Sequence, residues 1–405
     1  MVTGAGVITA LGHNWQDFHA KLQAGNSGIR YMPEWERYAN LNTKLAGPVL
    51  DFSLPAHYPR KKTRTMGRVA QLATCASERA LSAAGLQDNP VIQSGATGIA
   101  YGSCTGSTEA SRDFFNMLVN QDTRGVTATT YIRMMNHTAA VNIGMFFSIK
   151  GRIIPTSSAC TSGSQGIGYA YETIKYGRQT VMLAGGAEEL CPTEAAVFDT
   201  LYATSTRNEH PSQTPSPFDR DRDGLVIGEG AGTLVLEDLE HALARGANIV
   251  AEVVGFGCNS DGGHVTQPSA DTMRIAMELA LQDAGLQPGD IAYINAHGTA
   301  TERGDIAESN ASETLFGKQT PISSLKGHLG HTLGACGAVE AWATIEMMNR
   351  GWFSPTLNLH NPDPRCGQLD YIVGTGRQID APYAMSNNFA FGGINTSLIF
   401  KRYPQ

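Results

Sequence analysis

The chain has no apolar run approaching the roughly 18 residues that a membrane-crossing helix needs, and the opening "MVTGAGVITALG" has none of the cationic residues of a targeting leader. It also lacks a disulfide framework: its seven cysteines are odd in number and irregularly spaced, the pattern of reduced thiols. There is no excess of cationic residues, since 30 Lys and Arg stand against 37 Asp and Glu for a net charge of −7. That balance excludes general nucleic-acid binding, whose affinity comes from clustered cations on phosphates. Repeats and low-complexity segments are absent too. The expectation is a cytoplasmic protein with no membrane span.

What is present is a large apolar reserve and many turn residues. The 405 residues are 41% hydrophobic and include 45 glycines, enough for a sizeable core and about two domains on length alone. Short β-type runs ending in glycine or charge recur at 96–103, 180–187, 232–238, 249–257, 291–298 and 396–402. Between them "GRVAQLATCASERALSAAG", "DTMRIAMELALQDAG" and "GAVEAWATIEMMNRG" carry apolar residues at helical spacing and close on glycine. Strands alternating with helices predict an α/β protein. The polar stretch 205–224 reads as a long surface loop, with the chemistry-bearing residues on both sides of it.

Four short segments carry that chemistry. "PTSSACTSGSQGIG" places Cys160 between a strand and a small-residue helix, where free N–H groups and the helix dipole favour a thiolate; a small core cysteine is the plain alternative. "NAHGTATERGD" sets His297, Thr299 and Thr301 at the end of a strand, where α/β folds gather ligands, or else forms a capped turn. "SSLKGHLGHTLGACGA" holds Lys326, His328, His331 and Cys336, readable as a catalytic turn or as part of a zinc set, although its spacing fits no standard zinc pattern. "SNNFAFGGIN" bears Phe389 and Phe391 on a glycine loop whose N–H groups suit an oxyanion or a simple turn. A cationic cluster, "PRKKTRTMGR", precedes the first long helix.

Taken in order, "VTGAGVITALG", "LQAGNSGI", "SSACTSGSQGIGYA", "SPFDRDRDGLVIGEGAG", "NAHGTATERGD", "GHTLGACGAVE" and "SNNFAFGGINTSLIF" span nearly the whole chain. Together they resemble the β-ketoacyl-acyl-carrier-protein synthases, the elongating condensing enzymes of the thiolase superfamily. The resemblance implies a five-layered αβαβα fold of two similar halves, 1–240 and 241–405. It implies a homodimer, with a heterodimer as the variant arrangement, and acyl carrier protein as partner.

The implied activity is decarboxylative condensation of an acyl-Cys160 thioester with malonyl-carrier protein, with no cofactor. By the same resemblance His297 and His331 polarise the extender thioester, Lys326 supports His331, and the N–H groups of Cys160 and Phe391 form the oxyanion hole. Phe391 gates the acyl pocket with Phe389 beside it, while Thr299, Thr301 and Thr105 contact substrate. Lys61, Arg64, Arg68 and Arg207 become docking cations, and Asn295, Glu340, Ser386 and Asn387 a monovalent-cation site.

Ala390 and Ile394 in the gate, and Cys104 and Thr105 in the acyl-pocket segment, depart from the commonest pattern of that family. They lean the expectation from housekeeping fatty-acid elongation toward a polyene, aryl polyene or polyketide pathway. A thiolase would use a second cysteine as base, where this chain offers two histidines. A non-catalytic chain-length partner would lack the nucleophile, and Cys160 speaks against it.

Overall fold

A computed structural model describes residues 1–404. The first half builds a five-stranded sheet from β1 (Val2–Thr9), β2 (Thr97–Gly102), β3 (Ile153–Pro155), β4 (Val181–Glu188) and β5 (Gly230–Glu237). These lie in the order β3-β2-β4-β5-β1, with β2 parallel to β3 and β4, and β5 antiparallel to β4 and β1. The second half uses β6 (Ala251–Ser260), β7 (Tyr293–Asn295), β8 (Pro321–Ser323), β9 (Tyr383–Phe389) and β10 (Ile394–Arg402). Their order, β8-β7-β9-β10-β6, repeats the first pattern strand for strand and direction for direction. The pairing Val2↔Ala251 joins the two sheets edge to edge.

Helices cover both sheets. α1 (Arg68–Ala83) lies on the outer face of the first, burying Val69, Leu72, Ala76 and Leu81 against β-strand residues Ile8, Ile99 and Val235. α4 (Ala270–Ala284) and α5 (Glu302–Phe316) cover the outer face of the second, with Met273, Met277 and Leu281 packed on Ile294 and Ile399. Between the sheets run α2 (Ser162–Lys175) and α6 (Cys336–Arg350), whose Ile167, Ala170, Ala338 and Trp342 meet Leu234 and Leu398 in a shared core. The layers are therefore αβαβα, the thiolase-like arrangement. α3 (Pro192–Asp199) stands outside them, between β4 and the polar loop.

The two central helices approach closely because their facing residues are small. A Cβ on Gly163 would lie 2.8 Å from the Ala338 nitrogen, and one on Gly337 would lie 2.5 Å from the Ser164 nitrogen. Close packing at this density leaves no room for a methyl group. The stripe brings the N-terminal ends of α2 and α6 face to face, and those ends carry Cys160, His331 and Cys336.

Candidate active site

Hydroxyl groups build the turn that presents Cys160. Thr161 Oγ1 donates to the Ser158 carbonyl at 2.7 Å, Ser162 Oγ donates to the Ala159 carbonyl at 2.7 Å and accepts from the Ser158 N–H at 3.0 Å, and Thr156 Oγ1 donates to the Ser162 carbonyl at 2.8 Å. They hold Ala159 at φ 51°, a left-handed conformation that costs a non-glycine residue about 1–2 kcal/mol. Such local strain persists where the surroundings over-determine it. The Sγ of Cys160 receives the N–H groups of Phe391 and of Cys160 itself, and the residue is 4% exposed.

Burial decides the protonation of this thiol. It outweighs the two N–H groups and the nearby Lys326 ammonium, and the pKa is pushed up to about 11. The helix-end effect expected from the sequence is present but is the smaller influence, so the resting group is a thiol. His331 Nε2 stands 2.9 Å from Sγ, where it can take the proton.

His297 follows β7 in a turn pinned from α5: its N–H and that of Gly298 each donate to the Glu308 carboxylate at 2.7 Å. Lys326 Nζ lies 3.3 Å from His297 Nδ1 and 2.5 Å from Glu340 Oε1, and Asn388 Nδ2 donates to Glu340 Oε2 at 2.7 Å. Burial works against the Lys326 ammonium, but the Glu340 charge more than offsets it and raises the lysine pKa. An ammonium only donates, so Nδ1 of His297 accepts and the ring proton sits on Nε2. Lys326 makes its direct contact with His297, because the helical turn Lys326–Leu329 carries the side chain toward α6 and β7, and acts on His331 through its charge.

His331 is fixed by its backbone, whose N–H donates to the Val226 carbonyl at 2.7 Å and whose carbonyl accepts from Gly228 at 2.8 Å. The His297 and His331 rings meet edge to face at 5.1 Å. Burial first, then the Lys326 charge, hold both pKa values well below the ordinary histidine range, so both rings are neutral at pH 7. His328 points elsewhere, with Nδ1 2.8 Å from the Asn26 carbonyl. The zinc alternative of His328, His331 and Cys336 is therefore not assembled. Ligand atoms of Cys160, His297 and His331 do lie within 4.8 Å of one another.

A cavity of about 530 Å³ leads to these three residues. Tyr202, His264 and Arg303 ring its exposed end; Thr299, Thr301, Phe389 and Phe391 line its course. Thr299 and Thr301 share a hydroxyl hydrogen bond of 2.9 Å. Phe391 is 36% exposed and packs edge-on against Phe198 at 5.8 Å. Thr105 lies outside this lining, its hydroxyl donating to Glu194 at 3.0 Å.

The cationic candidates divide. Arg68 is committed to the buried carboxylate of Glu229 and to the Val49 carbonyl, and Arg207 to Asp223 and the Asp221 carbonyl. Lys61 and Arg64 form no ion pair among the described residues. The four residues proposed for a monovalent cation do not fit one. Glu340 is already matched by Lys326 and Asn388, Asn387 Oδ1 accepts from Ser397, and Asn295 Nδ2 donates to Ser386 Oγ. Only Asn295 Oδ1 among them is buried without a partner.

Sequence reading missed the buried carboxylates that hold the site. Glu308 pins the His297 turn, and Glu188 accepts from the Cys104 and Gly334 N–H groups at 2.7 and 3.1 Å. Asp305 accepts from Phe218 and Ala300 and pairs with buried Arg222. The signal was in "GDIAES" and "GGAEE", acidic residues set in otherwise small or apolar runs.

Comparison with known proteins places these features in a group. Residues 1–242 match the pattern described as Beta-ketoacyl synthase, N-terminal domain, and residues 250–360 that described as Beta-ketoacyl synthase, C-terminal domain. The chain is 39% identical to a 3-oxoacyl-[acyl-carrier-protein] synthase 2 of Vibrio cholerae, over 99% of this chain and 98% of that protein. A crystal structure of a β-ketoacyl synthase from Burkholderia phymatum superposes with TM-score 0.99 at 61% identity, covering 100% and 99% of the two chains. The ishigamide ketosynthase/chain length factor superposes with TM-score 0.91 at 32% identity, covering 100% and 98%.

Proposed function

The chain belongs to the β-ketoacyl synthase family, and we propose that Cys160, His297, His331 and Lys326 carry out its reaction. It is a condensing acyltransferase, a 3-oxoacyl-[acyl-carrier-protein] synthase acting on carrier-bound acyl groups. The observation that supports this assignment most directly is the contact of Cys160 Sγ with His331 Nε2, beside two N–H groups at the buried end of an open cavity.

In the first half-reaction His331 Nε2 takes the thiol proton and the sulfur adds to the acyl thioester carbon. The N–H groups of Cys160 and Phe391 meet the alkoxide, a contact whose value rises as the charge develops. The carrier thiolate takes up a proton as it leaves, the His331 imidazolium releases its Nδ1 proton so that Nε2–H remains as a donor, and the acyl group stays on Cys160. Malonyl thioester enters next, with its carbonyl oxygen between the two imidazoles. His297 offers Nε2–H to that oxygen because Lys326 occupies Nδ1.

Charge builds on the oxygen as carbon dioxide departs, so these donors stabilise the enolate more than the substrate. The enolate carbon attacks the Cys160 thioester, the thiolate is expelled, and the 3-oxoacyl product is two carbons longer.

We assign residues 1–240 and 241–405 to the two halves on the strength of the repeated strand order. Pairing with a second copy through the β3 edge fits that strand's place at the end of the sheet, with Ile153 41% exposed. We place the protein in the cytoplasm; seven free cysteines, and no described helix long and apolar enough to cross a membrane, agree with that.

The test is mass spectrometry of the Cys160 peptide after incubation with acyl-carrier proteins, followed by malonyl-carrier protein. Acyl transfer to Cys160 and release of a 3-oxoacyl product support the assignment, and condensation by Cys160→Ala at the wild-type rate overturns it.

A further inference from the structure

Glu194 lies in the first turn of α3 and is 5% exposed. A glutamate there ordinarily turns back to cap its own helix. Glu194 does not: Oε1 accepts the Thr105 hydroxyl at 3.0 Å, and Oε2 is buried with no hydrogen-bond partner. A buried, unpaired polar atom is costly and asks for an explanation.

Its position supplies one. Phe198, four residues on and so on the same face of α3, lines the active-site cavity and packs against Phe391. Glu194 stands one helical turn, about 5 Å, before Phe198 and behind the cavity lining, so an acyl group on Cys160 meets it only where the chain extends past that lining. Thr105 follows Cys104, whose carbonyl accepts from Ser157 Oγ at 3.4 Å and shares Asn136 Nδ2 with it. Ser157 opens the turn that presents Cys160. The Thr105–Glu194 pair thus stands behind the nucleophile, on the side away from the cavity mouth.

The charge state follows from two carboxyl groups sharing this interior. Burial first, then neighbouring Glu188, raise the Glu194 pKa well above the carboxylate range, so the group is a neutral acid. With Oε1 accepting from Thr105, the acid proton sits on Oε2, a donor facing no protein acceptor.

We propose that Glu194 is a specificity-determining residue, donating from Oε2 to an oxygen of the acyl chain on Cys160. The preferred acyl group then carries a hydroxyl or carbonyl oxygen beyond the thioester, whereas a plain alkyl chain would leave the donor desolvated and unpaired. The inference rests on the condensing-enzyme assignment and extends it to the class of acyl group.

The experiment is a competition. Octanoyl-carrier protein is mixed at equal concentration with each positional isomer of its hydroxy and oxo derivatives, and the groups on Cys160 are counted by mass spectrometry. The ratio is independent of how much of a variant folds. Wild-type protein is expected to favour at least one oxygenated isomer by about tenfold or more, the worth of one buried hydrogen bond. Glu194→Leu is expected to remove that preference, and the near-isosteric Glu194→Gln, which keeps an N–H donor, to retain it. A wild-type preference for octanoyl over every isomer, or the same ratio in Glu194→Leu, overturns the inference alone. A wild-type protein that takes up neither group overturns the condensing assignment and this inference with it.

Discussion

The ammonium of Lys326 sits 3.3 Å from Nδ1 of His297, and its counter-ion Glu340 is 2.5 Å away on the other side. The pair therefore fixes which nitrogen of His297 carries the proton and, through its charge, helps keep both catalytic rings neutral. Removing Lys326 alone would strand the Glu340 charge, an error that costs about 3–5 kcal/mol in a buried pair. The informative variant is Lys326→Met with Glu340→Gln.

In wild-type protein malonyl decarboxylation should persist below the pH at which a free histidine titrates. In the double variant the acid limb should move up toward the ordinary histidine range, because one of the causes depressing both pKa values is gone while burial, the larger cause, remains. A pH–rate profile of decarboxylation measures this; superimposable acid limbs would count against the role of Lys326. The sign for stability is the same. Both imidazoles stay neutral when folded and protonate when unfolded, so falling pH favours the unfolded state from about pH 6.5 downward.

Cys160 should behave as a buried thiol. With its pKa pushed up to about 11, alkylation by iodoacetamide should climb about tenfold per pH unit from neutrality and show no plateau near pH 8.5. A plateau near neutrality would instead mark a resting thiolate, the state the helix end alone would favour.

How far the sequence was legible depended on the range of the interaction. The long helices and most strands were readable because their signals are local: α1, α4 and α6 each end within two residues of the glycine that closes the pattern. The turn bearing His297 was readable for the same reason. The repeat of strand order was not, since the halves share a topology without sharing spacing, and β7 and β8 are only three residues each. Partner choice was equally hidden. Arg68 and Lys61 lie in one cationic run, and only the fold brings Glu229, 161 positions away, to Arg68. Nothing local to "CPTEAAVF" says that Glu194 turns inward rather than capping its helix.

That division of the cations gives a contrast between docking and stability. Lys61→Glu with Arg64→Glu should raise the Michaelis constant for carrier-protein substrates by about tenfold or more at low salt and leave small thioesters unaffected. Arg68→Ala should instead lower stability by about 1–3 kcal/mol, because it removes the guanidinium from the buried Glu229 carboxylate and leaves the Val49 and Leu190 N–H groups to hold that charge. Steady-state kinetics with both substrate types, alongside chemical denaturation, separate the two. Equal losses on both substrates in the Lys61/Arg64 variant would remove these residues from the docking surface.

The gate loop separates two neighbouring glycines. Gly392 and Gly393 hold φ 95° and 78°, so alanine at either is strained by about 1–2 kcal/mol. At Gly392 a Cβ would meet nothing within 4 Å, whereas at Gly393 it would lie 2.9 Å from Asp261 Cβ. Asp261 is no free neighbour, since its N–H donates to the Gly393 carbonyl and its carboxylate receives Asn395 and Thr272. Gly393→Ala should therefore displace the loop carrying the Phe391 N–H and slow acylation of Cys160 more than Gly392→Ala. Single-turnover acylation of the two variants checks the order.

His331 and His328 are three residues apart and equally buried, yet their alanine variants should fail in opposite ways. His331 Nε2 touches Cys160 while its Nδ1 has no side-chain or backbone partner, so the ring is held at a cost for its chemistry. Its removal should reduce malonyl decarboxylation by about a hundredfold or more, with little loss of stability, since the orphaned nitrogen goes with it. His328 is bonded at both nitrogens, 2.8 Å from the Asn26 carbonyl and 3.4 Å from Ser354 Oγ, and so ties the Lys326–Leu329 turn to the N-terminal segment and to the segment that follows α6. His328→Ala should cost about 1–3 kcal/mol through the Asn26 carbonyl left unpaired, and the protein that remains folded should decarboxylate at close to the wild-type rate. Rates normalised to acylable Cys160, set beside denaturation midpoints, resolve the pair; a His328→Ala protein that is stable but inactive would reassign the second imidazole.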